Sequence, residues 1–369
     1  MEILPGITAA TVTTSRLTTR VLLAGASGGE PVLFLHGNLS SATWWEETML
    51  ALPARYRAIA PDQRGYGAAD PAARIDATRG VGDLVDDAIA LLDHLGLNAV
   101  HLAATSLSGV VAWRLIAQHA ERLLSVTQVA PGSPFGFGAT RDVAGTATTE
   151  DWAGSGAGLI NPEFLRRLQE GDTGTDSPFS PRSALRTLVV KPPFIPDRED
   201  ALIEAMLAVH LGDDAYPGDA VPSPNWPHVA PGLWGPNNAL SPKHQHDSTD
   251  LLAADVASRP AVLWVRGADD LTVSDRAAAD PGTWGPLGLV PGYPGPDEFP
   301  PQPMLAQIRA VLEAYAAAGG SYAEVVIDDC GHLPDIEKPE EFNRAFHAHL
   351  ANETTEPDNG TDKERPTNE

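Results

Sequence analysis

Short apolar runs that each stop at a turn, with amphipathic helical spacing between them, constrain this chain more than any other feature. Residues 31–35 (PVLFL) run into His36-Gly37, and 56–60 run into Pro61-Asp62. Residues 100–103 lead straight into a helical pattern, and 126–130 stop at Pro131-Gly132. Continuous apolar runs of this length suit strands buried on both faces. Between them, Val81, Leu84, Val85, Ala88, Leu92 and Leu95 recur at helical spacing before Gly96, and a second helix spans about 107–120. The same grammar returns later, with strands at 261–265 and 324–327, a helix through Ile308, Val311, Leu312 and Tyr315, and another at 339–350. Strands alternating with helices predict an α/β fold with a mostly parallel sheet. Weak alternation through Val12, Thr14, Leu17 and 21–23 adds an antiparallel hairpin at the start.

Between the two stretches the pattern changes. Residues 133–258 are rich in Gly, Pro and Trp, with one good amphipathic helix at about 201–210. This reads as a lid of roughly 125 residues, larger than an ordinary loop. The expected organisation is a core of residues 1–132 and 259–350, a lid at 133–258, a Pro/Gly-rich insertion at 276–303 and a disordered acidic tail at 351–369. The net charge of −24 repels phosphate backbones and anionic lipid heads, so neither nucleic acid nor a membrane surface is an expected partner. No run approaches 18 apolar residues, and the first residues, MEILPGITAATVTT, lack the look of a signal peptide. A single cysteine, Cys330, is compatible with a reducing compartment, and a cytoplasmic location is expected.

Three residues stand just past strand ends in the order Ser…Asp…His. Ser106 lies in Ala104-Thr105-Ser106-Leu107-Ser108-Gly109, where a strand turns into a helix and the residues two before and two after must be small. Ser108 is the rival, but that frame puts Val110 in the crowded position. Asp270 closes Gly267-Ala268-Asp269-Asp270 and is preferred to Asp269, and His332 follows Gly331. A serine hydroxyl needs a base to take its proton, and the base works best with its tautomer held by a carboxylate. The turn 131–133 offers no alternative acid. His36-Gly37-Asn38 follows an earlier strand, so the amides of Asn38 and Leu107 are candidate oxyanion donors, with His36 fixing the loop. Asp62 to Asp70 (DQRGYGAAD) reads as a structural turn with internally paired charges. Trp44, Trp45 and Phe135 are candidate substrate-pocket walls, Cys330 is packing, and the pairs His244/His246 and His347/His349 lack a third metal ligand. No metal or cofactor is called for.

These motifs together resemble the α/β-hydrolase superfamily, in its lidded group with an HG-x oxyanion loop. The likeness is carried by HGN (36–38), DQRGYGAAD (62–70), ATSLSG (104–109), GADD (267–270) and GH (331–332), across about 10–132 and 259–350. It implies a sheet of about eight strands with the lid after the sixth, and a cofactor-free serine hydrolase acting on a carboxylic ester or lactone. Lid and insertion size resemble the larger lactone hydrolases that act on macrolide mycotoxins such as zearalenone. Epoxide hydrolases and haloalkane dehalogenases are similar too, but use Asp at the position of Ser106. C–C bond hydrolase, perhydrolase and hydroxynitrile lyase chemistry stay open on the same fold, as does a non-catalytic ligand sensor. The expected partner is a small-molecule substrate, bulky and mostly apolar, and the lid's aromatics leave room for a homo-oligomer.

Overall fold

The computed structural model describes residues 3–245 and 259–352. Eight strands form one sheet: β1 (Ile7–Thr13), β2 (Thr18–Ala24), β3 (Glu30–Leu35), β4 (Tyr56–Pro61), β5 (Val100–Thr105), β6 (Leu123–Val129), β7 (Ala261–Gly267) and β8 (Tyr322–Ile327). Their spatial order is β1-β2-β4-β3-β5-β6-β7-β8. β2 pairs antiparallel with β1 and β4, and every other pairing is parallel. Among the described residues, the helices of six residues or more are α1 (Glu46–Ala51), α2 (Gly82–His94), α3 (Leu107–His119), α4 (Pro162–Gln169), α5 (Glu199–Leu207), α6 (Met304–Ala317) and α7 (Pro339–Leu350).

Side chains alternate across the pleat, so the apolar runs feed two cores at once. In β3, Leu33 and Leu35 join the α2, α3 and α6 side, with Leu84, Val111 and Ile308. Val32 and Phe34 join the other face, with Met49 of α1 and Phe342 and Phe346 of α7. A run buried on both faces is what a central parallel strand requires, and β5 is buried at all six positions.

Between β6 and β7, residues 130–245 add no strand to this sheet. They fold as α4, α5, short turns and paired two- and three-residue strands. Leu185, Val190, Leu202, Ile203 and Met206 form a separate apolar cluster there. The segment expected as a loop at 276–303 contains helical turns at Pro281–Trp284 and Gly285–Leu287. It packs on the 130–245 segment: Trp226 lies 4.8 Å from Phe299 and 5.1 Å from Tyr293 between ring centroids. Buried Gln302 accepts from the Gly138 amide (2.6 Å) and donates to the Gly136 carbonyl (3.1 Å). Residues 246–258 of the expected lid and 353–369 of the expected tail lie outside the described residues.

Candidate active site

The sharp turn after β5 places Ser106 at φ 53° and ψ −116°, a conformation that costs a non-glycine residue about 1–3 kcal/mol and persists only where packing enforces it. Ala104 and Ser108 on either side are fully buried, which explains the need for small residues. Gly37 approaches so closely that a Cβ there would stand 3.0 Å from Ser106 Cβ. The Ser108 hydroxyl is spent on structure: it donates to the His36 carbonyl and accepts from Gln63 Nε2 at 2.9 Å. Ser106 is half-buried, and no hydrogen bond engages its hydroxyl among the described residues.

Past β7 and β8, two loops bring Asp270 and His332 together, with Nδ1 of His332 donating to Asp270 Oδ2 at 2.8 Å. Both are buried. The other Asp270 oxygen accepts from the amides of Thr272 (2.7 Å) and Val273 (3.0 Å), which fixes the carboxylate. That bond makes Nδ1 the protonated nitrogen of neutral His332 and leaves Nε2 as the acceptor. Burial pulls the His332 pKa down, but the charge and hydrogen bond of Asp270, backed by Asp335 and Glu337, more than offset it and leave it above the ordinary histidine value. Asp269 is exposed and bonds Lys191 Nζ at 2.7 Å, so the choice between the two aspartates falls on Asp270.

The first loop is held by His36. Its Nε2 accepts from the Gln63 amide at 3.0 Å, which leaves Nδ1–H for the Gly37 carbonyl (2.9 Å) and Ser40 hydroxyl (3.0 Å). Burial lowers its pKa to about 4, so it stays neutral and structural. The amides of Asn38 and Leu107 donate no hydrogen bond among the described residues. The Asn38 side chain accepts from Tyr66 Oη (2.6 Å) and from the Leu39 amide (3.0 Å), so its Nδ2 faces Asn237 Oδ1 of the inserted segment at 3.2 Å. Neither Tyr66 nor Asn237 was picked out from the sequence as a neighbour of this loop. Tyr66 sits in a recognisable turn, whereas nothing in the sequence signals Asn237.

Three expectations need correction. Trp45 is no pocket wall: it is 1% exposed and packs on Phe34 in the core, with centroids 5.2 Å apart. The charges of the 62–70 turn do not pair internally: Asp62 takes a two-point bond from Arg20 of β2 (2.9 and 3.0 Å), and Arg64 does the same with Asp87 of α2. The turn is structural, but it is tied outward. Trp44 is half-buried and donates Nε1 to the Leu202 carbonyl of α5 at 3.2 Å, so it holds the inserted segment. Phe135 is half-buried against the larger core. Cys330 is fully buried, and burial pushes its thiol pKa far up. His349 donates to the Val126 carbonyl at 3.2 Å, and among the described residues no group of three or more His, Cys, Asp or Glu side chains is placed to hold a metal ion. Among them, too, no helix is long and apolar enough to cross a membrane. The water-sized cavity of about 20 Å³ under the Asp62 turn is lined by none of Ser106, Asp270 and His332.

Residues 30–154 match the family described as alpha/beta hydrolase fold. AB hydrolase superfamily protein YfhM of Bacillus subtilis is 32% identical over 125 residues, covering 33% of this chain and 43% of that protein. Epoxide hydrolase A of Mycobacterium tuberculosis is 34% identical over 116 residues, covering 31% of this chain and 36% of that one. The chain thus spans less than half the length of either relative. Carboxylesterase CesB of Bacillus subtilis aligns over 94% of this chain and 93% of its own with a TM-score of 0.56, at 15% identity, a likeness of fold. Sheet order, elbow and matched segment make this an α/β-hydrolase-fold protein.

Proposed function

We propose that the protein is a cofactor-free serine hydrolase of carboxylic esters or lactones, working through Ser106, Asp270 and His332. The observation that carries this reading is the buried 2.8 Å bond from His332 to Asp270, in a sheet that also holds a serine on a strained elbow after β5. His332 Nε2 takes the proton of Ser106 as its oxygen attacks the substrate carbonyl. Asp270 holds the imidazole and stabilises the imidazolium that forms. The amides of Asn38 and Leu107 receive the developing oxyanion. His332 then gives its proton to the leaving oxygen, and water releases the acyl group with His332 again as base.

The segment 130–245 acts as a lid in this reading, excluding water and favouring a bulky, mostly apolar small-molecule substrate. The lone buried cysteine, which can form no intrachain disulfide, is compatible with a reducing, cytoplasmic setting. An epoxide-opening alternative has the Mycobacterium tuberculosis relative behind it, but Ser106 stands where the epoxide hydrolases that this sequence resembles use Asp. A panel of neutral esters, lactones and an epoxide tests both. Turnover of esters or lactones by the wild type, lost in folded Ser106→Ala, is the expected result. Epoxide opening that survives Ser106→Ala would overturn the assignment.

A further inference from the structure

Residues 188–191 of the inserted segment touch both loops that carry the acid and the base. The Leu188 carbonyl accepts from Thr272 Oγ1 at 3.2 Å, two residues past Asp270. The Val189 carbonyl accepts from the backbone amide of His332 itself at 2.8 Å. The Lys191 amide donates to Glu337 Oε2 at 2.8 Å, and Lys191 Nζ reaches Asp269 (2.7 Å) and Asp329 (2.6 Å).

Glu337 is the centre of these contacts. Although a carboxylate, it is 7% exposed, and it also accepts from the amides of Gly331 (3.0 Å) and Leu333 (3.2 Å), the residues on either side of His332. Apolar packing runs the same way, since Leu333 and Ile336 join Leu185 and Val190 in the cluster of the inserted segment. The five residues before Val190, Leu185–Val189, form a wide π-type turn, a rare geometry that recurs at functional positions.

We propose that residues 188–191 are a strap through which the lid sets the relative position of Asp270 and His332, with Glu337 as its buried anchor. Glu337 touches no reacting atom; it is a positioning residue, and displacing the lid at the strap releases the base loop. This rests on the serine-hydrolase reading for its effect on turnover, but not for its effect on structure.

Glu337→Gln in the full chain tests it, because the amide side chain cannot accept from the Gly331, Leu333 and Lys191 amides as the carboxylate does. Three readouts are expected to move together. Fluorophosphonate labelling of Ser106 slows roughly tenfold or more, as small misplacements of catalytic groups do. The acid limb of kcat/KM shifts to lower pH, because one of the three carboxylates facing His332 (with Asp270 and Asp335) has lost its charge. Amide exchange at 331–333 and at 188–191 accelerates in step. Unchanged labelling and an unmoved limb in the folded variant overturn the proposal, as does faster exchange at 331–333 with the strap unaffected. If Glu337→Gln does not fold, Thr272→Val, which removes the Leu188 tie but no charge, carries the test through labelling and exchange alone: slower labelling with faster exchange at 188–191 is expected, and unchanged labelling with unchanged exchange overturns the proposal. If the wild type is not labelled, the serine-hydrolase reading fails and the exchange comparison still decides the strap.

Discussion

His332 is the residue whose environment says most about how the site works. Its pKa lies above the ordinary 6.5 despite burial, because Asp270 and the carboxylates behind it favour the charged ring. The base must be neutral to take a proton, so kcat/KM should fall as pH drops through a value above 6.5; a pH profile of kcat/KM with its acid limb below 6.5 contradicts this. Asp335 behaves oppositely in origin: burial raises its pKa from 3.8 to about 7, and its Oδ1 lacks a hydrogen-bond partner among the described residues. The folded state therefore keeps the proton that the unfolded chain gives up. This stabilising preference is complete below 3.8 and is lost as pH rises towards about 7. Asp335→Asn should be more stable than wild type at high pH by on the order of 4 kcal/mol, with little difference in acid, as read by denaturant melts at the two pH values.

At the scale of elements, the elbow works because α3 can press against the turn after β6. A Cβ at Gly109 would collide with Pro131, so Gly109→Ala should push α3 away and cost about 1–3 kcal/mol. The Tm should fall, and ester turnover should fall with it if Ser106 moves. The central strands were legible because burial on both faces writes itself as an uninterrupted apolar run, as in Val32-Leu33-Phe34-Leu35. The Ser…Asp…His order was legible because each residue follows such a run. Neighbouring aromatics were not separable: Trp44 and Trp45 look alike in sequence, yet on a tight turn one faces the core and the other the inserted segment. The inserted segment itself was opaque because its strands are two or three residues long, too short to show a period. Glu337 left only a faint trace, an acidic residue one turn past Gly331-His332-Leu333 whose bonds go to backbone amides.

Over the whole molecule, groups separated by long stretches of chain stand just past the C-terminal ends of β5, β7 and β8 in one sheet, while 130–245 and 276–303 pack on each other through Trp226, Tyr293 and Phe299. The chain as a whole carries a net charge of −24. Neutral esters should be preferred over matched esters bearing a carboxylate, and the preference should shrink in high salt as the field is screened; a salt-independent ratio of kcat/KM would show that charge is not the cause. The central claim, an activated serine at the elbow after β5, is tested most directly by intact mass after incubation with a fluorophosphonate, wild type against Ser106→Ala. One adduct on the wild type and none on the variant is the predicted result. An unmodified wild type, or an adduct retained when Ser106 is gone, would contradict it.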